Sequence, residues 1–307
     1  MNPDKFGMDT ITLAGSLDAK LQAVKNAGFT QIMLLARDIT NYPAGEQAAI
    51  AAIKASGLRV TGLQVLRDFE GLEGHLHEYK VEVAKAMLQM AREVGAKLLL
   101  ICSSTSAHST NEQSKVVADL RKLAMLALPM DIRIAYEALS WGKHVNVMSQ
   151  SAAMVNAVAR ANFGLGVDSF HILATDSDTE CLDYMAPEKI FFVQLADFMW
   201  QETRTTEEKI DTARHFRVFP GEGVHSEQVV ALTTKLDDMG YRGDYSFEVF
   251  NDDYSQLPQA FVAQRAAASV RWLTSQVSRR SLPLHSSAQQ QALRDNLERI
   301  RMPLVNF

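Results

Sequence analysis

The chain has 307 residues, of which 47% are hydrophobic and 22% charged, with a formal net charge of −5. This profile suits an ordinary globular protein with a full core, either one large α/β barrel or two medium domains. The mildly acidic balance argues against a nucleic-acid backbone or an anionic membrane as the main partner, and leaves a small anionic substrate open, since one or two arginines suffice for that.

In chain order, short apolar runs predict strands at 7–12, 31–35, 60–64, 97–102, 133–137, 164–168, 190–194 and 245–248. Most stay apolar until their last residue, as parallel strands buried on both faces do. Amphipathic helices separate them, and those ending near Gly28, Gly57, Gly95 and Gly240 run at once into the next strand. Glycine takes the left-handed position after a helix without Cβ strain. The stretch 175–186, after Asp168, supports at best a short helix.

Eight alternating units suit a closed barrel or a doubly wound sheet. No GxGxxG or GxxxxGK[ST] motif follows the first strand, which weakens the nucleotide-binding sheets. Lone polar residues stand at strand ends all along the chain: Gln64, Glu137, Asp168, Gln194 and Glu248. A barrel gathers such ends around one mouth, whereas an open sheet spreads them along an edge. The reading is therefore an α/β fold, a (β/α)8 TIM barrel, over residues 1–277. Residues 278–307 form a C-terminal tail with helical period at 289–301, expected as an extra helix on the outside or in a contact between copies of a homo-oligomer.

The two cysteines, Cys102 and Cys181, sit in no paired motif, which argues against a disulfide framework or a thiolate zinc site. The opening MNPDKFGMDT lacks an apolar run after a basic region, and no apolar stretch approaches the roughly 20 residues of a spanning helix. A reducing cytoplasm is the expected location.

Glu137 ends IAYE, Asp168 ends GLGVD, Gln194 ends FFVQ and Glu248 ends YSFE. Burying one carboxylate costs several kcal/mol without compensation, and three that converge repel one another, so a cation is their natural partner. Any one of these residues could simply cap its strand and bond a neighbouring loop; the repetition on four successive strand ends is what points to a metal. Three carboxylates and an amide oxygen make a hard, all-oxygen site that suits Mg²⁺ or Mn²⁺ first, with Co²⁺ admissible.

These segments, together with RDFEG at 67–71, WGKHVN at 141–146 and HFRVFPGEG at 215–223, resemble the xylose isomerase-like barrels, and within them the bacterial 3-dehydroshikimate dehydratases. The resemblance spans about residues 8–275. It implies a lyase of quinate and shikimate catabolism that dehydrates 3-dehydroshikimate to protocatechuate through a metal-stabilised enolate. It implies metal ligation by Glu137, Asp168, Gln194 and Glu248, proton transfer by His171, and substrate binding by Arg67 and Arg217. Some relatives carry a dioxygenase-like domain after the barrel, and the length here implies a barrel without one.

Each assignment has an ordinary alternative. His171 titrates near neutrality and sits just past a strand end, but could be a structural histidine bonded to a carbonyl. Arginine clamps a carboxylate bidentately, yet Arg67 could pair with Asp68 or Glu70 beside it. His144, next to Lys143, is a candidate substrate contact or a support for the site; Asp197 and Asn251, three residues past two ligands, read as supports. The second strand, QIMLLARD, lacks the glutamates such barrels often carry, with Met33 and Ala36 in the corresponding places, and Ala213 stands where the dehydratases have serine. A sugar or cyclitol enzyme of the same superfamily (a ketose 3-epimerase or an inosose dehydratase) would share the metal site but needs no arginine clamp. A sensor barrel that binds metal without turnover is the remaining reading.

Overall fold

The computed structural model describes residues 1–280. Parallel strands β1 (Phe6–Asp9), β2 (Gln31–Leu35), β3 (Arg59–Leu66), β4 (Leu98–Cys102), β5 (Arg133–Glu137), β6 (Phe163–Asp168), β7 (Ile190–Leu195) and β10 (Tyr245–Phe247) close into a barrel, β10 pairing with both β7 and β1. A small antiparallel pair, β8 (Asp197–Phe198) and β9 (Arg217–Val218), follows β7. The helices are α1 (Leu17–Asn26), α2 (Ala36–Thr40), α3 (Glu46–Ser56), α4 (Gly74–Glu93), α5 (Gln113–Ala127), α6 (Met148–Val158), α7 (Ser169–Ala174), α8 (Thr206–His215), α9 (Ser226–Asp238) and α10 (Gln259–Arg280). No helix among the described residues is long and apolar enough to cross a membrane.

Local chemistry explains where these elements start and stop. In α1, Leu17, Leu21 and Val24 are buried at helical spacing, and the Ser16 hydroxyl accepts from Ala19 N at the N-cap. After α3, Gly57 sits at φ +74°, which turns the chain straight into β3. A reciprocal capping pair, Thr205 and Glu208, opens α8.

Successive side chains on a strand point to opposite faces, so residues two apart share one. Met33, Leu98, Leu100, Ala135, Phe191 and Phe192 form a buried apolar cluster in the barrel interior; Phe191 and Phe192 are both members because the register of β7 against β6 slips by one residue there. Two residues further along, β4, β5 and β7 place Cys102, Glu137 and Gln194 on that same inner face, just above the cluster. Gly166 on β6 keeps this layer open: a Cβ there would lie 3.0 Å from Leu100 Cδ1 and 3.5 Å from Glu137 Cβ. The alternation thus lays a polar layer on an apolar plug, and every polar member comes from a strand end.

Several expected boundaries shift. The first strand ends at Asp9 rather than residue 12, because Thr10–Thr12 form a 3-10 turn. The Thr10 hydroxyl accepts from Leu35 N, and the Thr12 hydroxyl bridges Phe247 O and Val249 N. The third strand runs two residues past 64, and the last stops one short of Glu248. In 175–186 only a 3-10 turn forms, Glu180–Tyr184, while α7 starts directly after Asp168. Helix α10 continues through 277 to Arg280, so no break separates barrel and tail there. Residues 281–307, including the helical period expected at 289–301, lie outside the described residues. Both cysteines are free thiols.

Candidate active site and metal centre

Beyond the polar layer the barrel opens into a cavity of about 740 Å³, lined among others by Gln64, Arg67, Glu137, His171, Arg217 and Glu248. Glu137, Asp168 and Glu248 are all buried. Glu137, Asp168 and His171 each offer one atom that lies within 4.8 Å of the others. Glu248 joins them through Arg217, whose Nη1 is 2.8 Å from Asp168 Oδ2 and 3.1 Å from Glu248 Oε2.

The electrostatics follow from burial. Burial and the neighbouring Asp168 hold the Glu137 carboxyl well above the usual range. Burial pushes Glu248 up to about 8; Arg217 pulls it down, and Asp168 and Glu137 push it further up. Burial also raises the Cys102 thiol, next to Glu137 in the sheet register. Two of the three carboxylates thus pair with one buried guanidinium. Such a set fits a hard divalent cation, because the cation can replace the protons that Glu137 and Glu248 otherwise retain.

His171 is pinned. Its ring packs edge-on against Trp141 and Phe170, with centroids 5.1 and 5.2 Å away. Ser140 N lies 3.1 Å from Nδ1, and a backbone N–H can only donate, so Nδ1 accepts. In the neutral ring the proton therefore sits on Nε2, 3.1 Å from Glu137 Oε1 and 3.6 Å from Asp168 Oδ2. Burial pushes the imidazole down to about 3, against the pull of Asp168.

The two arginines differ. The Arg217 Nε donates to Ala213 O, its Nη1 serves Asp168 and Glu248, and its Cζ lies 4.3 Å from the Phe170 ring centroid. Its Nε and Nη1 are thus engaged inside the protein, although the residue also lines the cavity. Arg67 is exposed to the cavity, and no side chain among the described residues pairs with its guanidinium. Its acidic neighbours are committed elsewhere. Asp68 Oδ1 accepts from Thr105 N at 2.8 Å, and Glu70 Oε1 accepts from Ser104 N and the Tyr136 hydroxyl. The surface ion pair considered for Arg67 does not form.

Other candidates separate cleanly. His144 Nε2 sits 2.8 Å from Ser109 O and ties one loop to another, away from the cavity lining. Asp197 accepts from Phe198 N, His225 N and the Ser226 hydroxyl, and Asn251 Nδ2 donates to Arg217 O; both brace loops around the site. Ala36 and Ala213 line the cavity, whereas Met33 lies in the apolar plug.

One residue escapes the sequence reading. Asp9, at the end of β1, is fully buried and accepts from Gln64 Nε2, Gln194 Nε2 and the Ser246 hydroxyl. The signal is present in FGMD, an apolar run closed by a lone acid. The β-branched run Thr10-Ile11-Thr12 masks it by imitating three more strand residues.

A family model described as xylose isomerase-like TIM barrel matches residues 21–276. The chain is 35% identical over 249 residues to a protein of Pseudomonas aeruginosa named 3-dehydroshikimate dehydratase, covering 81% of this chain and 38% of that one. A Pseudomonas putida protein of the same name is 32% identical over 264 residues, covering 86% of this chain and 40% of that one. The chain thus spans about two fifths of the length of these curated relatives. Among solved structures, a xylose isomerase-like TIM barrel/4-hydroxyphenylpyruvate dioxygenase fusion protein superposes with a TM-score of 0.84 at 30% identity, covering 92% of this chain and 45% of that one. A zinc-bound IOLI protein shares the fold, with a TM-score of 0.77 at 22% identity, covering 89% of this chain and 99% of that one.

Proposed function

The chain belongs to the xylose isomerase-like TIM barrel family, and from that premise we propose that it is a divalent-metal-dependent dehydratase converting 3-dehydroshikimate to protocatechuate. The observation that carries this reading is Arg67: an unpaired guanidinium facing the same cavity as the buried carboxylates of Glu137 and Glu248. Neutral polyols give such a cation nothing to bind, while a substrate carboxylate pairs with it bidentately. The relatives named for this activity support the substrate.

Glu137, Asp168, Gln194 and Glu248 would hold the ion. When bound, it would supply Lewis-acid polarisation of the substrate ketone, a contribution of several kcal/mol. The remaining work falls to this chain's own side chains. Arg67 receives the substrate carboxylate at the cavity wall. Arg217 holds Asp168 and Glu248 in place and offsets part of their charge. His171 transfers protons at Nε2, because Nδ1 is committed to Ser140.

The reaction removes the proton α to the ketone, expels the β-hydroxyl as water, and loses a further proton to aromatise the ring. His171 can accept a proton at Nε2 only in the tautomer that carries the ring proton on Nδ1, where the Ser140 hydroxyl, 3.0 Å away, can accept it. A direct test follows absorbance after 3-dehydroshikimate is added to Mn²⁺-loaded and chelator-treated protein. The expected outcome is a new aromatic chromophore with metal and none without. Absence of the chromophore from the loaded protein would refute the assignment.

A further inference from the structure

Gln194 can bind a cation only through its carbonyl oxygen, because its amide nitrogen carries two hydrogens and no available lone pair. Nothing in a glutamine decides by itself which atom faces the cavity, since a half-turn of the carboxamide exchanges them at little cost. Some neighbour has to break that symmetry.

The strand ends supply one. Gln194 Nε2 lies 2.6 Å from Asp9 Oδ2 and 3.0 Å from Gln64 Oε1, which uses both of its hydrogens. Gln64 Nε2 in turn lies 3.1 Å from the same Asp9 Oδ2, and closes a triangle across β1, β3 and β7. Turning the Gln194 amide over would set its oxygen against the Asp9 and Gln64 oxygens at those distances, with no proton between them. Asp9 Oδ2 must stay an acceptor because both groups facing it are N–H donors. Any proton on that carboxyl sits on Oδ1, toward the Ser246 hydroxyl. With Nε2 doubly committed, Oε1 is the atom left over, and no donor among the described residues takes it. Gln194 is also in register with Asp168 on β6, so that freed oxygen belongs to the carboxylate layer.

We propose that Asp9 is a positioning residue for the metal centre: through Oδ2, with Gln64 as its partner, it fixes the Gln194 carboxamide so that oxygen rather than nitrogen is presented to the cation. This rests on the metal reading above. It makes Asp9 a determinant of metal affinity although it need not touch the ion or the substrate. Partners behind metal ligands typically change affinity by about 10- to 100-fold when removed.

The test is Mn²⁺ titration of metal-free protein, with calorimetric Kd and thermal unfolding recorded for each variant. Asp9→Asn keeps shape and volume but can turn an N–H toward Gln194, and so favours the flipped amide. The expected result is Mn²⁺ binding weaker by about 10- to 100-fold. Gln194→Ala should weaken binding as well, and adding Asp9→Asn to it should cost little more, since no amide is left to orient. If Asp9→Asn fails to fold, Gln64→Met removes one acceptor and should give a smaller loss that also vanishes in the Gln194→Ala background. Parent-like Mn²⁺ affinity in folded Asp9→Asn would overturn the proposal while leaving the metal site standing. So would an equal loss in the Gln194→Ala background, because it would show Asp9 acting on the site by some other route. A parent chain that binds no Mn²⁺ would overturn both readings.

Discussion

Arg217 and Asp168 form an ion pair sealed inside the barrel mouth, with Nη1 2.8 Å from Oδ2 and side chains 3% and 0% exposed. The same nitrogen reaches Glu248 Oε2 at 3.1 Å. One guanidinium therefore serves two carboxylates expected to hold the cation, and this sets Arg217 apart from Arg67 despite the symmetrical roles the sequence suggested for them.

That difference predicts opposite failures. Arg67→Ala removes an exposed, unpaired cation and should leave folding intact. It should raise KM for 3-dehydroshikimate by roughly 10- to 150-fold, the value of a lost charge-assisted contact of about 1.5–3 kcal/mol. Arg217→Ala leaves buried carboxylates uncompensated and should destabilise the metal-free chain by about 3–5 kcal/mol. Saturating Mn²⁺ should recover part of that loss, since the ion supplies the missing charge. Steady-state kinetics and denaturant unfolding with and without Mn²⁺ separate the two. Matching KM effects and equal stability in both variants would return Arg217 to a simple substrate clamp.

The titrating groups predict how stability changes with pH. Glu248 has its folded pKa raised to about 8, so its contribution is full below the ordinary value of 4.5 and is lost as pH rises through 8. His171 has its folded pKa lowered from 6.5 to about 3, so its contribution is full above 6.5 and is lost as pH falls toward 3. The two oppose each other between 4.5 and 6.5; above 6.5 the Glu248 contribution still falls, and Glu137 and Asp9, raised by the same burial, act in the same direction. Metal-free protein should therefore lose stability from pH 6.5 to 8, by at most about 2 kcal/mol from Glu248. Glu248→Gln should flatten that slope. A metal-free chain whose Tm rises across this window would contradict the burial argument.

The same protons govern metal uptake. Glu137 and Glu248 hold protons more tightly than free carboxylates, so an entering cation must displace them. The apparent Mn²⁺ affinity should climb with pH up to about 8, with protons released into the buffer. Calorimetry in buffers of different ionisation enthalpy reads that release directly. Binding that is independent of pH from 6 to 8 would mean the carboxylates are already ionised.

How much of this was legible in the sequence depends on how local the signal is. Alternation of apolar strands with glycine-terminated helices determines the barrel, because both periods can be read within a dozen residues. Glu137, Asp168, Gln194 and Glu248 stood out for the same reason, each a lone polar residue closing an apolar run. Asp9 followed that pattern too, but its strand end was obscured by Thr10 and Thr12, whose hydroxyls bond residues far along the chain. The commitments of Arg217 and His144 were not readable at all. A guanidinium's partner depends on which loop folds over it, and the Ser109 carbonyl that holds His144 lies 35 residues away.

The last prediction concerns the proton. With Ser140 N–H directed at Nδ1, His171 points its Nε2 proton at Glu137 and has no lone pair free toward the cavity. A base at Nε2 therefore needs the ring proton moved to Nδ1, where the Ser140 hydroxyl lies 3.0 Å away as its acceptor. His171→Ala should lower kcat by about 10²- to 10⁴-fold, the usual weight of general-base catalysis, while Mn²⁺ content per chain stays at the parent value. Glu137→Gln should lower kcat as well, but through a weaker Mn²⁺ site. Single-turnover aromatisation with metal content measured on the same samples distinguishes three cases. Parent-like aromatisation by His171→Ala would remove His171 from the mechanism and leave Glu248, raised to about 8, as the candidate base. Loss of the metal together with activity would instead make His171 a ligand, in keeping with its place within 4.8 Å of the Glu137 and Asp168 oxygens. A kcat loss with the metal retained is the outcome that proton transfer by His171 requires.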